Sequence, residues 1–380
     1  MSTTTYHGGL IFDGEVLHDG AALTVQDGTV VALGPEAEAE TGADSRGDRV
    51  DLAGDILSPG YVDLQVNGGD GLMLNDALEL DTLRRMGQAH RRLGATHILP
   101  TLITNTLAKT EATIEVTKEA IAAGVPGIAG LHLEGPHLSV ARKGAHDAAL
   151  IRPMEDSDVL MLTAAARDLP ALMLTVAPEN VTVDQVAALV EAGAVVSLGH
   201  TDADFATCTA YFEAGARCVT HLFNAMSQMG NREPGLVGAL LNSGLASAGL
   251  IADAVHVHPA TIRNAWAAKQ GPGEIFLVSD SMAPAGTDQA EFTLEGRRIA
   301  RRDGRLTLED GTLAGADLDL TTAVQVMCDQ VGVPLAAALR AATSVPAALM
   351  GLGNGIGRLE VGAASELIRI RSDLSGCAAV

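Results

Sequence analysis

The sequence is short of aromatic residues, of paired cysteines and of positive charge. Aromatics make up 3% of its 380 residues, with a single tryptophan. The 47% hydrophobic content is therefore mostly Ala, Val, Leu and Ile, enough for a sizeable core. The four cysteines (Cys208, Cys218, Cys328, Cys377) are scattered and form no CxxC. That argues against a disulfide framework and fits free thiols in a reducing compartment. Lys and Arg number 25 against 47 Asp and Glu, a formal net charge of -22. Such a surface repels nucleic acid and anionic membrane, so neither is expected as a partner. It also repels anionic substrates, so a phosphate pocket would need its own local cations. No apolar run reaches the roughly 18 residues of a membrane-spanning helix. The N-terminal "MSTTTYHGGLIFDG" lacks the basic and apolar regions of a signal peptide. The expectation is a soluble cytoplasmic protein with one large domain and a small second one.

What is present is a change of rhythm along the chain. The first 58 residues are β-rich, with short β-branched runs broken by DG and GG hairpin signals. "GIGRLEVGAASELIRIRS" near the other end has the same character. Between them, eight short apolar runs alternate with Ala- and Leu-rich segments of helical spacing: "GYVDLQVNG", "ATHILPTLIT", "GIAGLHLEGP", "ALMLTVAPE", "AVVSLGHTD", "CVTHLFNAM", "ASAGLIADAVHV" and "EIFLVSDSMAP". This pattern predicts an α/β fold: a (β/α)8 TIM-like barrel over 59–355. A small β-sandwich domain is expected from both chain ends, 1–58 plus 356–380. Polar residues cluster at the carboxyl ends of the runs, among them Gln65, Asn67, Glu134, His200, His221 and Asp280. In such barrels that rim carries the active site.

Glu134, His200 and His221 offer one carboxylate and two imidazoles, an open catalytic zinc set with a position left for water. A lone histidine at a strand end is more often a hydrogen-bonded core or loop residue; three ligand types at equivalent strand ends make the joint case. Asp280, in "FLVSDSMAP", could take a proton from a metal-activated water, or simply cap the next helix or loop. His132 would share a strand face with Glu134 and is read as a buried barrel histidine, as are His97 and His137. His146, in "ARKGAHDAA", could polarise a carbonyl or stand solvated on its loop. Asn224 and Ala225 follow a strand end, where unpaired backbone N–H groups can bind an anion. Arg232 adds a cation able to fork a phosphate, although a surface ion pair is its commoner role. His256 could add a donor, with His258 as the competing candidate. The glycine-rich "GDGLMLND" and "GLGNGIG" match neither a P-loop nor a dinucleotide fingerprint. No Ser nucleophile elbow is present.

Taken together, "SPGYVDLQVNGGDG", "GLHLEGPHLS", "KGAH", "LGHTDA", "THLFNAM", "REPGLVGAL", "LVSDSMAPAG" and "GTLAGADLDL" resemble the N-acetylglucosamine-6-phosphate deacetylase family of the amidohydrolase superfamily, from about residue 7 to about 370. The combination of "HLEGP", "THLFNAM" and "DSMAPAG" is specific; the PG-x-x-D opening alone is not. The resemblance implies a (β/α)8 barrel and hydrolysis of the N-acetyl amide of N-acetylglucosamine 6-phosphate to glucosamine 6-phosphate and acetate, with N-acetylgalactosamine 6-phosphate as the alternative substrate. It implies one divalent metal, zinc, on Glu134, His200 and His221, with Asp280 as general base and acid and His146 as a carbonyl polariser. Asn224, Ala225, Arg232 and His256 would hold phosphate and sugar, and the backbone of Leu313, Ala314 and Gly315 the acetyl end. It also implies a homodimer that shares phosphate ligands across its interface. Much of the superfamily has His-x-His at the first strand; here the pair is Gln65 and Asn67. Amide oxygens are poor zinc ligands, so these two are expected near the site but outside the metal shell. The sequence also departs at Glu366, where the superfamily usually shows Asp. Gluco and galacto epimers of the sugar stay open.

Overall fold

The computed structural model describes residues 2–35, 47–353 and 355–380. Residues 36–46 of the expected N-terminal β segment, and Asn354 of "GLGNGIG", lie outside the described residues.

All eight apolar runs form strands: β1 (Tyr61–Val66), β2 (Ala95–Ile103), β3 (Leu131–Glu134), β4 (Leu172–Val176), β5 (Val195–Leu198), β6 (Cys218–Val219), β7 (Ser247–Leu250) and β8 (Ile275–Leu277). They pair in chain order, and every rung is parallel. Strands covered on both faces need apolar residues throughout, and β1 and β4 are buried at every position. Helices run between the strands. Thr182 starts one of them, Val183–Glu191, with a reciprocal cap: its hydroxyl accepts from Gln185 N–H and its own N–H donates to Gln185 Oε1. That helix turns Val186 and Leu189 onto the barrel.

The seam between β8 and β1 closes differently from the other seven. An isolated bridge joins Val66 to Ser281, and Asn67 N–H donates to Ser281 O at 2.9 Å. Below it, the buried Asp63 carboxylate accepts from the Gln65 and Ser279 N–H groups, both at 3.2 Å. Burial pushes the Asp63 carboxyl up to about 7.

The chain ends meet in one sheet, where Leu367–Ile370 pairs antiparallel with Ile56–Pro59. A second sheet carries Thr3–His7, Ala21–Gln26, Thr29–Pro35 and Asp48–Asp51. Tyr6, Ile11, Leu23, Leu57 and Leu367 belong to the buried cluster shared by these two sheets. Glu366 pairs with Arg91 of the barrel's first helix, so its longer side chain has an electrostatic partner.

One sheet was not foreseen. Glu291–Leu294, Arg297–Arg302, Arg305–Thr307 and Leu313–Ala316 form an antiparallel four-stranded insert after β8. Glu295 and Gly296 at its first turn both have positive φ (50° and 79°), as a tight hairpin turn requires. The tip docks on the barrel rim. Glu295 Oε1 accepts from Asn75 and Asn105, and Arg297 donates to Ala145 O at 2.6 Å.

Candidate active site

The rim residues converge. Glu134 Oε1 lies 3.2 Å from His200 Nε2 and 3.1 Å from His221 Nε2, and the two nitrogens are 3.0 Å apart. Glu134 ends β3; His200 and His221 each stand two residues past the ends of β5 and β6. Both histidines and Asp280 have φ in the left-handed region, at 48°, 29° and 48°. That conformation costs a non-glycine residue about 1–3 kcal/mol, and such strain concentrates at functional sites. His200 Nδ1 sits 2.8 Å from Arg142 O. A carbonyl only accepts, so Nδ1 carries the proton and Nε2 presents a lone pair. His221 Nδ1 is buried without a partner. Two ring nitrogens and a carboxylate oxygen thus crowd one point, and this is the group of three among the described residues that could hold a metal ion. One carboxylate and two imidazoles are a donor set that suits a divalent cation. Burial works against a charged Glu134, but the two imidazoles outweigh it and hold the carboxyl well below its usual range. Burial would also lower His221; the Glu134 carboxylate overrides this and raises it.

Asp280 stands beside this group, three residues past β8. Asn67 Nδ2 donates to its Oδ1 at 2.7 Å and Gln65 Nε2 at 3.2 Å; the same Gln65 amide donates to Glu134 Oε1 at 3.2 Å. The amide pair therefore orients two carboxylates. Burial, then the negative Glu134, pushes the Asp280 carboxyl up to about 6. Asp280 caps no helix. His146 is buried against His200, with ring centroids 4.5 Å apart. Its Nδ1 accepts from Thr104 N–H at 3.3 Å, with the Thr104 hydroxyl 2.8 Å away, so Nε2 keeps the proton. Burial, reinforced by His200, lowers His146 to about 3, and the ring is a neutral donor.

Asn67, Glu134, His146, His200, His221 and Asp280 line a cavity of about 390 Å³ that also reaches Asn224, Ala225, His256, Leu313 and Gly315. Asp253 grips His256 Nδ1 at 2.6 Å and sets its ring. His258, the competing candidate, instead caps the helix Pro259–Ala268 and does not line the cavity. The expectation of an unpaired Asn224 N–H is corrected: it donates to His221 O at 2.9 Å, because the chain turns back at once after the strand. Ala314 is fully buried behind the cavity wall, against Met282 and Leu294. Gly315, at φ 65°, must be glycine: a Cβ there would lie 2.4 Å from Met282 Cγ. Arg232 is exposed and does not line this cavity. His132 and His137 are buried, and His137 bonds to Arg152 O.

Sequence reasoning missed Arg142, Thr104 and Asp253, which orient the three histidines nearest the chemistry and the anion end. Arg142 acts through its backbone carbonyl, which leaves no trace in side-chain chemistry, and Thr104 through both its N–H and its hydroxyl. The third had a signal, an Asp three residues before His256. Leu294, from the insert, also lines the cavity; the Asp303–Gly304 dipeptide is a hairpin signal that could have found the insert.

Residues 56–377 match the Amidohydrolase family. N-acetylgalactosamine-6-phosphate deacetylase of Shewanella sp. (strain ANA-3) is 42% identical over 344 residues, covering 89% of this chain and 86% of its own. N-acetylglucosamine-6-phosphate deacetylase of Haemophilus influenzae is 33% identical over 366 residues, covering 93% and 91%. Among solved structures, N-acetylglucosamine-6-phosphate deacetylase from Pasteurella multocida superposes with a TM-score of 0.92 at 32% identity, covering 99% of this chain and 97% of that one. A mutant of the Mycobacterium smegmatis enzyme in complex with N-acetyl-D-glucosamine-6-phosphate superposes at 0.88 with 30% identity, covering 100% and 96%.

Proposed function

Because the chain belongs to the amidohydrolase family, we propose that it hydrolyses the N-acetyl amide of N-acetyl-D-glucosamine 6-phosphate to D-glucosamine 6-phosphate and acetate. The observation that carries this reading is the convergence of Glu134, His200, His221 and Asp280 on one cavity. Glu134, His200 and His221 would hold one divalent metal ion, zinc by the chemistry of the donors, which supplies Lewis-acid activation of water. Asp280 takes the proton of the attacking water and returns it to the departing amine. A carboxyl held near neutrality suits both halves of that task, and a cation alongside would lower it further towards the base form. Gln65 and Asn67 keep its oxygen aimed. His146 Nε2–H donates to the acyl oxygen as negative charge develops there. Leu313 and Gly315 meet the acetyl end, with Ala314 packed behind them.

Asn224, Ala225 and His256 form the anion end. Arg232 stands outside its own chain's cavity, and we assign it to the cavity of a second copy in a homodimer. The four free cysteines support a reducing, cytoplasmic setting.

A second reading is the galacto epimer, favoured by the 42% identity to the Shewanella enzyme. Acetate release from the two epimeric 6-phosphates, on protein of measured metal content, tests both. We expect faster release from the gluco epimer; faster release from the galacto epimer selects the second reading. No release from either by metal-loaded protein overturns the function.

A further inference from the structure

One layer below Glu134, His200 and His221 runs a line of buried polar side chains that the chemistry above does not use. His132 Nδ1 lies 3.0 Å from Leu64 O, and its Nε2 lies 2.8 Å from Thr175 Oγ1. Thr175 Oγ1 is 2.6 Å from Thr220 Oγ1, which is 2.7 Å from Ser197 Oγ. All are at most 3% exposed.

The direction of this line follows from one atom. Leu64 O can only accept, so His132 Nδ1 carries a proton. The ring is buried and bonds to no carboxylate, so it is neutral and Nε2 accepts. Thr175 then spends its only hydroxyl proton on Nε2. Thr220 must donate to Thr175, and Ser197 to Thr220. The result is a one-way hydrogen-bond chain across β1, β3, β4, β5 and the end of β6. It touches every strand that supplies a metal ligand: His132 is two residues before Glu134, Thr220 immediately precedes His221, and Ser197 is three before His200.

Backbone N–H groups of Arg217, Thr220 and Leu222 continue the pairing of this segment past the short strand β6. β6 is two residues long, and it shares two register pairs with each neighbour. The Thr220–Thr175 bond passes over β5 and ties the His221 segment directly to β4. Stability alone does not account for the line, since an apolar set of the same shape can be as stable as a satisfied polar one.

We propose that His132 is a positioning residue for the metal site, orienting this one-way chain so that Glu134, His200 and His221 stand at ligating distance. The proposal rests on the reading of those three residues as metal ligands.

Two variants test it: Thr175→Val, which keeps the shape and removes one hydroxyl, and His132→Phe. Three quantities are measured: affinity for Co2+ and Zn2+ by competition with a chromophoric chelator, the visible spectrum of the Co2+-loaded chain, and the melting temperature of the metal-free chain. Metal affinity is expected to fall about 10–100-fold in each variant, the range for partners that orient ligands. The Co2+ bands should shift, while the metal-free melting temperature of Thr175→Val falls by only a few degrees, the cost of leaving His132 Nε2 and the Thr220 hydroxyl unpaired in the interior. If His132→Phe does not fold, Thr175→Val decides alone. Affinity within about twofold of the unmodified chain, with the same Co2+ spectrum, overturns the proposal. An unmodified chain that holds no metal overturns the metal reading instead, and is seen in the control.

Discussion

Glu134, His200, His221 and Asp280 stand at or just past strand ends, whereas Asn224, Ala225, Arg232 and His256 stand on loops. The first set is buried, hydrogen-bonded on several sides and complete within one chain. The second is less covered, and its arginine is exposed and does not line the cavity. Bond cleavage needs groups that do not move as charge develops, and strand ends in a closed barrel provide that. Anion binding needs an entrance and positive charge, which a chain of net charge -22 has little of to spare.

If the two ends differ in this way, attacks on the first should abolish turnover and attacks on the second should only weaken binding. The largest effect is expected from chelation, which should remove turnover entirely; re-addition should restore it at one tight equivalent per chain by titration. A plateau at two tight equivalents would contradict the roles given to Gln65 and Asn67. Asp280→Asn should lower kcat by about 10²–10⁴-fold, the scale of general acid–base catalysis, with metal content unchanged by elemental analysis. Turnover near the unmodified rate would remove Asp280 from the reaction. Arg232→Ala should lower kcat/KM for the 6-phosphate by about 10–100-fold, the worth of one lost charge-assisted hydrogen bond, and leave unphosphorylated N-acetylglucosamine nearly unaffected. Equal losses on both sugars would deny it a phosphate contact.

The smallest effect concerns the seam that carries Asp280. Asp63 keeps its proton up to about 7 in the folded chain. Unfolded, it releases the proton near pH 4, at its ordinary value of about 3.9. The folded state binds more protons between those values, so Asp63 makes stability fall as pH rises through that window. Asn at this position keeps an oxygen for the Ser279 N–H and removes the titration. Asp63→Asn should therefore gain in melting temperature relative to the unmodified chain from about pH 4 to about pH 7; parallel melting profiles would refute this.

The barrel was legible because each strand had to be apolar along its length, and all eight runs became strands. The insert was less so. Its strand Arg297–Arg302 holds four arginines and only one fully buried side chain, Ile299, so it lacks the apolar run of a core strand. The orienting role of Arg142 was hidden for a different reason, being exerted by a main-chain carbonyl that every residue owns.

By itself, the sequence determined the periodicity of the barrel and the chemical types at its rim: two imidazoles, two carboxylates and a pair of amides where histidines are common. Only the tertiary structure decided what those amides do. Asn67 and Asp280 are 213 residues apart and meet at 2.7 Å because β1 and β8 close the barrel. Closure is a property of the whole ring of strands, so no local stretch of sequence carries it. It also decided that Arg232 is exposed and stands off the lining of its own chain's cavity, since the loop bearing it is placed by packing and not by the strand it follows.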